Sequence, residues 1–321
     1  MILEVKNLTT RFKSKKGVTT AVSNVNFQVQ EGEILAIVGE SGSGKSVTSL
    51  SIMGLTPGEV TGEILFKGED LAKKTSKEMQ KIRGDQISMI FQEPMTSLNP
   101  VHRIKDQLME TIQAHMDLSK EDALKRAITM LDLVGIPSPE KRVNDYPHQM
   151  SGGMRQRVMI AMALSCHPEL LIADEPTTAL DVTIQAQIME LLYKLRERFN
   201  MAVMLITHDL GVVAEAADRV IVMYCGKIVE EAPVIPLFEE PKHPYTRGLL
   251  GSIPKIDEDQ DRLFMIDGMV PNPLNMPKGC AFSDRCDKCM DICREKKPAL
   301  VNEGGRSVRC FLYHDEVEEE A

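Results

Sequence analysis

The chain has 321 residues, enough for one large hydrophobic core and a smaller attached unit. Its 38 Lys and Arg against 47 Asp and Glu give a net charge of −9, which argues against a general affinity for nucleic acid or anionic lipid. No apolar run approaches the roughly 20 residues of a membrane-spanning helix, and the N-terminus lacks a signal-peptide pattern. We therefore expect a cytosolic protein that reaches a membrane only through a partner.

Two short runs of β-forming residues, 2–5 and 22–27, predict strands joined by a basic turn at residues 13–17. Phe12 lies just before this turn. Its ring is expected to pack in the core or at a sheet edge, whereas beside a nucleotide site it would stack on a base.

A glycine-rich segment lies between a predicted strand, Ile34–Val38, and a predicted helix over residues 47–53. This order is the context that a phosphate-binding P-loop requires, because the glycines let backbone N–H groups face one anion at the positive end of the helix. Lys45 is then expected to reach the β- and γ-phosphates and Ser46 to hold Mg²⁺. The alternative is a flexible loop before an ordinary helix. The predicted P-loop consists of Gly39, Glu40, Ser41, Gly42, Ser43, Gly44, Lys45 and Ser46.

The middle of the chain contains a further predicted strand and a helical region. Residues 87–91 have the pattern of a buried strand that ends at Gln92, and a turn-rich segment follows over residues 94–100. Ser119, with Asp122 three residues later, predicts the start of a helix with one continuous apolar face. We interpret this region as a small helical insertion in an α/β domain.

Ser151, Gly152 and Gly153 open the next predicted helix. A Ser in this position is most often only an N-cap. The two glycines leave the helix N-terminus bare enough for a phosphate to approach, which favours a second phosphate contact.

Two adjacent acids, Asp174 and Glu175, end a short apolar strand. Such a pair is often only a polar exit from a sheet. With a P-loop upstream, Asp174 is instead expected to hold Mg²⁺ directly or through water, and Glu175 to orient or deprotonate an attacking water. Asp181 lies near the start of the following helix, which is predicted over residues 183–199.

His208 follows another predicted strand, Ala202–Ile206. It would either cap the next helix or contact the γ-phosphate, since open α/β sheets bind ligands at the carboxyl ends of their strands. The alternation of strands and helices predicts an α/β fold with a mostly parallel sheet covered on both faces.

The composition changes after about residue 232, where the last 90 residues hold nine of the 17 prolines and five of the seven cysteines. This predicts a small appendage stapled by its cysteines. In a reducing compartment such a cluster favours metal ligation over disulfides. The alternatives are a structural zinc ion, a [4Fe–4S] cluster, and free or disulfide-linked thiols. The ligand candidates are Cys280, Cys286, Cys293 and Cys310, with Cys289 as an extra cysteine.

The motifs, taken in order, resemble those of the nucleotide-binding subunits of ABC transporters. They are the P-loop, Gln92, Ser151-Gly152-Gly153, Asp174-Glu175, Asp181 and His208. Residues 91–100 and 243–250 and the cysteine-bearing tail resemble the dipeptide, oligopeptide and nickel importer branch. The resemblance implies an ABC-type ATPase domain over residues 1–232, with a helical subdomain at about 95–165, and a C-terminal importer extension over residues 233–321.

The resemblance also implies a role for each motif. Phe12 would stack on adenine, and the P-loop backbone would hold the triphosphate. Gln92 would contact Mg²⁺ and respond to the membrane subunit. Ser151 and Gly153 would cap the γ-phosphate of ATP bound to a second ATPase subunit, with Met154 where the family most often has Gln. Some peptide importers carry a [4Fe–4S] cluster in a similar tail, so the resemblance favours that cluster over zinc, in a structural role.

The implied function is ATP hydrolysis that energises import of di- or oligopeptides. The implied partners are a second ABC ATPase subunit, commonly a different chain, two transmembrane permease subunits, and indirectly an extracytoplasmic peptide-binding protein, with the chain at the cytoplasmic face of the membrane. Import of nickel or glutathione-like compounds is an alternative. A soluble ABC ATPase acting on nucleic acid or ribosomes would need two ATPase halves, a long coiled coil or a basic insertion, which the sequence lacks. A subunit that only binds ATP is disfavoured, because Glu175 and His208 are present.

Overall fold

The computed structural model describes residues 1–15, 17–92, 97–178, 180–252 and 266–318. Residues 94–96 of the predicted turn-rich segment therefore lie outside the described residues. The chain forms two compact units. The helical unit comprises residues 1–2, 29–33 and 73–206, and the P-loop unit comprises residues 3–28, 34–72 and 207–321.

The strands of the described residues are β1 (Leu3–Ser14), β2 (Gly17–Val29), β3 (Ile34–Val38), β4 (Glu59–Phe66), β5 (Glu69–Asp70), β6 (Ile87–Ile90), β7 (Leu170–Asp174), β8 (Ala202–Ile206), β9 (Arg219–Tyr224), β10 (Lys227–Pro233), β11 (Val301–Glu303) and β12 (Arg306–Val308). The helices are α1 (Lys45–Ile52), α2 (Ser76–Ile82), α3 (Ile104–His115), α4 (Lys120–Leu133), α5 (Pro139–Arg142), α6 (Gly152–Leu164), α7 (Val182–Phe199), α8 (Leu210–Ala216), α9 (Val234–Glu239), α10 (Pro244–Gly251) and α11 (Asp291–Glu295). Short 3-10 turns span Leu71–Lys73, Pro147–Gln149 and Ser283–Arg285.

In the helical unit, β6, β7 and β8 pair in parallel, with β7 between the other two. Every residue of β7 and β8 is buried, as expected for parallel strands that are covered on both faces. Helices α3, α4 and α6 pack against one another. Helix α4 begins at the predicted N-cap, because the Ser119 hydroxyl accepts a hydrogen bond from the Asp122 backbone N–H (3.1 Å).

In the P-loop unit, β3 and β9 pair in parallel, while β10, β11 and β12 extend from β9 in antiparallel pairs. A separate four-stranded sheet has the order β2-β1-β4-β5, and β1 and β4 are antiparallel. The predicted α/β fold is confirmed, but antiparallel pairing is more extensive than expected. The reason is local: Cys225 and Gly226 are all that connects β9 to β10, and so short a connection permits only a hairpin.

Three aromatic side chains form part of the core of the P-loop unit. The Tyr224 ring on β9 lies 4.6 Å from that of Tyr245 and 5.2 Å from that of Phe282. All three are at most 3% exposed. Tyr245 and Phe282, which both follow residue 232, therefore share a core with β9. Among the described residues, no helix is both long and apolar enough to cross a membrane.

Candidate functional site

The P-loop connects β3 to α1, as predicted, and its shape depends on glycine. Gly39 has φ +152°, and a Cβ atom there would lie 2.3 Å from the backbone oxygen of Met223. Gly42 has φ +79°, but a Cβ atom there would meet nothing within 4 Å. The loop is thus packed tightly at its start and faces open space in its middle.

The P-loop contains several polar groups that suit an anion. Lys45 is 6% exposed, and its Nζ donates to the backbone oxygens of Gly39 (2.7 Å) and Glu40 (3.1 Å). The buried Ser43 hydroxyl has no hydrogen-bond partner within the described residues. The N-cap residue of α1 is Gly44, which has no side chain to cap the helix start. A buried cation, an orphaned hydroxyl and an uncapped helix start together suit a phosphate group.

Phe12 and His208 also belong to the P-loop unit. Phe12 is half-buried on β1 and does not line the cavity of about 730 Å³ that opens beside Gly42. His208 is exposed and follows the end of β8. It is not the cap of α8, because the Asp209 carboxylate accepts from the Gly211 and Val212 backbone N–H groups. The alternative that His208 caps the next helix is therefore wrong.

In the helical unit, β7 delivers Asp174 and Glu175 at its carboxyl end. Asp174 is 4% exposed. Glu175 has φ +47°, and its backbone N–H donates to the Ile206 oxygen (2.8 Å). Its Oε2 accepts from Gln92 Nε2 (2.9 Å) and from the Thr178 hydroxyl (2.9 Å). The structure therefore brings Gln92 and Glu175 together and adds Thr178, a residue that the sequence analysis missed.

Two further predicted site residues are helix caps in the helical unit. The Ser151 hydroxyl accepts from the Met154 backbone N–H (3.3 Å) at the start of α6. The Asp181 carboxylate accepts from the Ile184 backbone N–H (3.0 Å) at the start of α7. Gly152 is exposed, whereas a Cβ atom at Gly153 would lie 2.9 Å from Ile184 Cγ2. The missing side chain at Gly153 thus has a packing reason within this unit.

Four cysteines of the P-loop unit line one small cavity of about 20 Å³. They are Cys280, Cys286, Cys293 and Cys310. The fifth cysteine of this segment, Cys289, is not among the lining residues. Burial raises the pKa of Cys280 to about 12 and that of Cys286 to about 11, so both are protonated thiols at neutral pH when no metal is bound.

The cavity brings together the predicted ligand set, and the Cys280 backbone N–H donates to the Cys293 oxygen (2.8 Å). Among the described residues, however, no group of three or more His, Cys, Asp and Glu side chains is arranged so that it would hold a metal ion.

Two parts of the chain match family models of known proteins, and its relatives align over nearly its full length. Residues 22–178 match the family model for ABC transporters, and residues 229–293 match that for the oligopeptide/dipeptide transporter C-terminal region. The oligopeptide transport ATP-binding protein AppD of Bacillus subtilis is 56% identical, with 100% of this chain and 99% of that protein covered. The dipeptide transport ATP-binding protein DppD of Haemophilus influenzae is 52% identical, covering 96% of this chain and 94% of that protein.

Solved structures agree on the ATPase fold. The dimeric ATP-binding cassette MJ0796 in a post-hydrolysis state, bound to ADP and phosphate, has a TM-score of 0.66 at 32% identity and covers 73% of this chain and 99% of that one. The protein cbiO1 from Clostridium perfringens, part of an ABC transporter complex, has a TM-score of 0.64 at 29% identity, and the match covers 74% of this chain and 91% of that one.

Proposed function

Because the chain belongs to the ATP-binding subunits of ABC transporters for oligopeptides and dipeptides, we propose that its P-loop holds the ATP whose hydrolysis energises peptide import. The observation that carries this proposal is the P-loop itself. Lys45 is buried, the Ser43 hydroxyl has no hydrogen-bond partner among the described residues, and Gly42 faces open space. In this proposal the loop backbone, from Gly39 to Ser46, takes the triphosphate, and Ser46 holds Mg²⁺.

The hydrolytic role falls to residues at the end of β7. Asp174 holds Mg²⁺, directly or through water, and Glu175 accepts a proton from the attacking water. The hydrogen bonds from Gln92 and Thr178 to the same Glu175 oxygen orient this carboxylate for that proton transfer. Gln92 also approaches Mg²⁺, and His208 contacts the γ-phosphate. Phe12 stacks on the adenine.

The remaining site residues act on a second ATPase subunit. Ser151, Gly152 and Gly153 present the start of α6 to the γ-phosphate of ATP bound by the partner, and Asp181 lies at the same interface. The dimeric state of the similar cassette supports this arrangement. We further propose that the partner is a different ATPase chain and that the pair docks on two permease subunits at the cytoplasmic face of the membrane, below an extracytoplasmic peptide-binding protein.

Two substitutions test the ATPase assignment. Lys45→Ala should abolish ATP binding in a calorimetric titration of the full chain, because the buried ammonium is lost. Glu175→Gln should retain ATP binding and lose nearly all turnover, because the amide cannot accept a proton. Lys194→Ala and Glu190→Gln are matched controls on an exposed ion pair of α7 and should leave both properties unchanged. Normal binding by the Lys45 variant, or normal turnover by the Glu175 variant, would refute the assigned role.

We also propose that Cys280, Cys286, Cys293 and Cys310 hold a [4Fe–4S] cluster. Supporting this, four thiols line one cavity, which matches the ligand number of such a cluster. When bound, the cluster would tie four points of the extension together, and its binding would release the thiol protons that burial otherwise retains. Its role is structural.

Metal analysis tests the cluster. After anaerobic purification, about four irons and four acid-labile sulfides per chain are expected, with a visible absorption band. Cys280→Ser and Cys293→Ser should lose them. Cys289→Ser, the matched control outside the cavity, should keep them. One zinc per chain, or no metal, would refute the iron–sulfur assignment.

A further inference from the structure

The second residue of the P-loop, Glu40, is held from two directions by residues far along the chain. Its backbone N–H donates to the Tyr245 hydroxyl oxygen (2.8 Å). Its carboxylate accepts two hydrogen bonds from Arg285, with Nη1 to Oε2 at 2.7 Å and Nη2 to Oε1 at 3.0 Å. A bidentate pair of this kind fixes both the separation and the relative orientation of the two planar groups.

Arg285 is itself firmly placed, independently of Glu40. Its side chain is 5% exposed, and its Nε donates to the Asp267 backbone oxygen (3.1 Å). The guanidinium carbon lies 5.9 Å from the ring centroids of both Tyr224 and Phe282, a distance suited to cation–π attraction. Since Arg285 has these other anchors, the position of Arg285 determines that of Glu40.

The short turn that carries Arg285 belongs to the cysteine segment. The Ser283 backbone N–H donates to the Cys280 oxygen (3.0 Å), and the Cys286 N–H donates to the Ser283 oxygen (3.4 Å). Arg285 therefore lies in a hydrogen-bonded turn between two of the cysteines that line the small cavity. The conformation of this segment sets the position of the guanidinium.

The charge of Glu40 makes this contact relevant to nucleotide binding. A carboxylate within a loop that receives a polyphosphate repels the ligand unless a cation neutralises it. The Glu40 backbone oxygen also accepts from Lys45 Nζ (3.1 Å), so the same residue guides the P-loop lysine. Glu40 thus links Lys45, the side chain expected to bind phosphate, to the guanidinium of Arg285, which is 245 residues away.

We propose that Arg285 is a positioning residue for nucleotide binding, which neutralises Glu40 and holds the start of the P-loop in its phosphate-binding shape. The inference rests on the proposed ATPase function. Arg285 acts through Glu40 and does not itself touch the nucleotide. The C-terminal extension is, by this inference, part of the apparatus that sets the affinity for ATP.

The test measures Kd for ATP by calorimetry, and KM and kcat of the ATPase reaction, with the full chain. Arg285→Gln leaves the Glu40 carboxylate unpaired, so Kd and KM should rise about tenfold while kcat changes by less than about twofold. Arg285→Lys keeps the charge but loses the bidentate fork, and its Kd should lie between those of the wild type and the Gln variant. Arg294→Gln is the matched control, because this exposed side chain of the same segment forms a long ion pair with Asp284 (3.8 Å), a contact that does not involve the P-loop.

The double variant Glu40→Gln/Arg285→Gln separates neutralisation of the Glu40 charge from general stability. With the carboxylate removed, Kd should fall back toward the wild-type value, which loss of folding alone would not allow. A wild-type Kd for Arg285→Gln, or a double variant that binds as weakly as Arg285→Gln, would overturn the inference while the ATPase function stands. A wild-type chain that binds no ATP would overturn the proposed function and the inference with it.

Discussion

Alanine at Gly39 and alanine at Gly42 should have different effects, because the two glycines of the P-loop are required for different reasons. An alanine methyl group at position 39 would lie 2.3 Å from the Met223 backbone oxygen on buried β9 and 2.8 Å from Ser43 Oγ. Backbone strain of about 1–3 kcal/mol and overpacking of about 1–3 kcal/mol add to roughly 4 kcal/mol of lost stability. At position 42 the methyl group enters open space, so only the strain of a left-handed conformation remains, about 1–2 kcal/mol.

Urea unfolding of the full chain, followed by circular dichroism, measures this difference. With a slope of about 3 kcal/mol per M, the midpoint of Gly39→Ala should lie roughly 1 M below that of Gly42→Ala. ATP titration supplies the second readout: Gly42→Ala should stay folded and lose affinity, since its methyl group occupies the space proposed for phosphate. Equal midpoints would refute the packing argument at Gly39, and an unchanged Kd for Gly42→Ala would refute the phosphate argument.

Three further predictions concern other parts of the chain. Burial raises the pKa of Cys225 from 9.0 to about 11, so its thiolate fraction at pH 8 should be about a hundredfold below that of an exposed thiol. Its rate of alkylation by iodoacetamide should be lower by the same factor and should rise tenfold per pH unit. A rate equal to that of an exposed thiol would contradict this prediction. Glu230→Gln should lower the free energy of unfolding by about 3 kcal/mol in urea melts, because the buried carboxylate accepts from the Lys242 and His243 backbone N–H groups (2.8 Å each). Ser119→Ala should lower it by about 1 kcal/mol through loss of the α4 cap, whereas Ser119→Asp should not.

The sequence was informative where the signal is local. The cap at Ser119, the strand Ala202–Ile206 and the end of α7 at Phe199 agree with the structure, because capping chemistry and apolar periodicity act over a few residues. Helix α3 was not predicted, since its N-cap, Arg103, makes no side-chain cap hydrogen bond and gives no start signal. The lengths of β1 and β2 were underestimated for a similar reason, because exposed polar residues interrupt their apolar pattern.

The candidate site likewise combines residues that local patterns predict with contacts that such patterns cannot predict. The P-loop and the acids at the end of β7 were predicted from spacing, because a glycine-rich turn and a strand end are local features. The contact between Gln92 and Glu175 joins residues 83 positions apart, and no pattern in the sequence indicates it. Arg285 was missed entirely, since its functional neighbour Glu40 is contributed by another part of the fold.

The change in composition near residue 232 does not coincide with a break in packing. Residues 207–321 form one compact unit with residues 3–28 and 34–72, which include the P-loop. The reason is physical: β12 pairs with β10 and so continues the β9–β10 hairpin, while Tyr245 and Phe282 fill the core beside Tyr224. A segment built in this way cannot behave as a tethered module, because any rearrangement of it moves groups that contact the P-loop. The contact between Arg285 and Glu40 is therefore a consequence of a shared core, and a change in the cysteine segment has a direct structural route to the proposed nucleotide site.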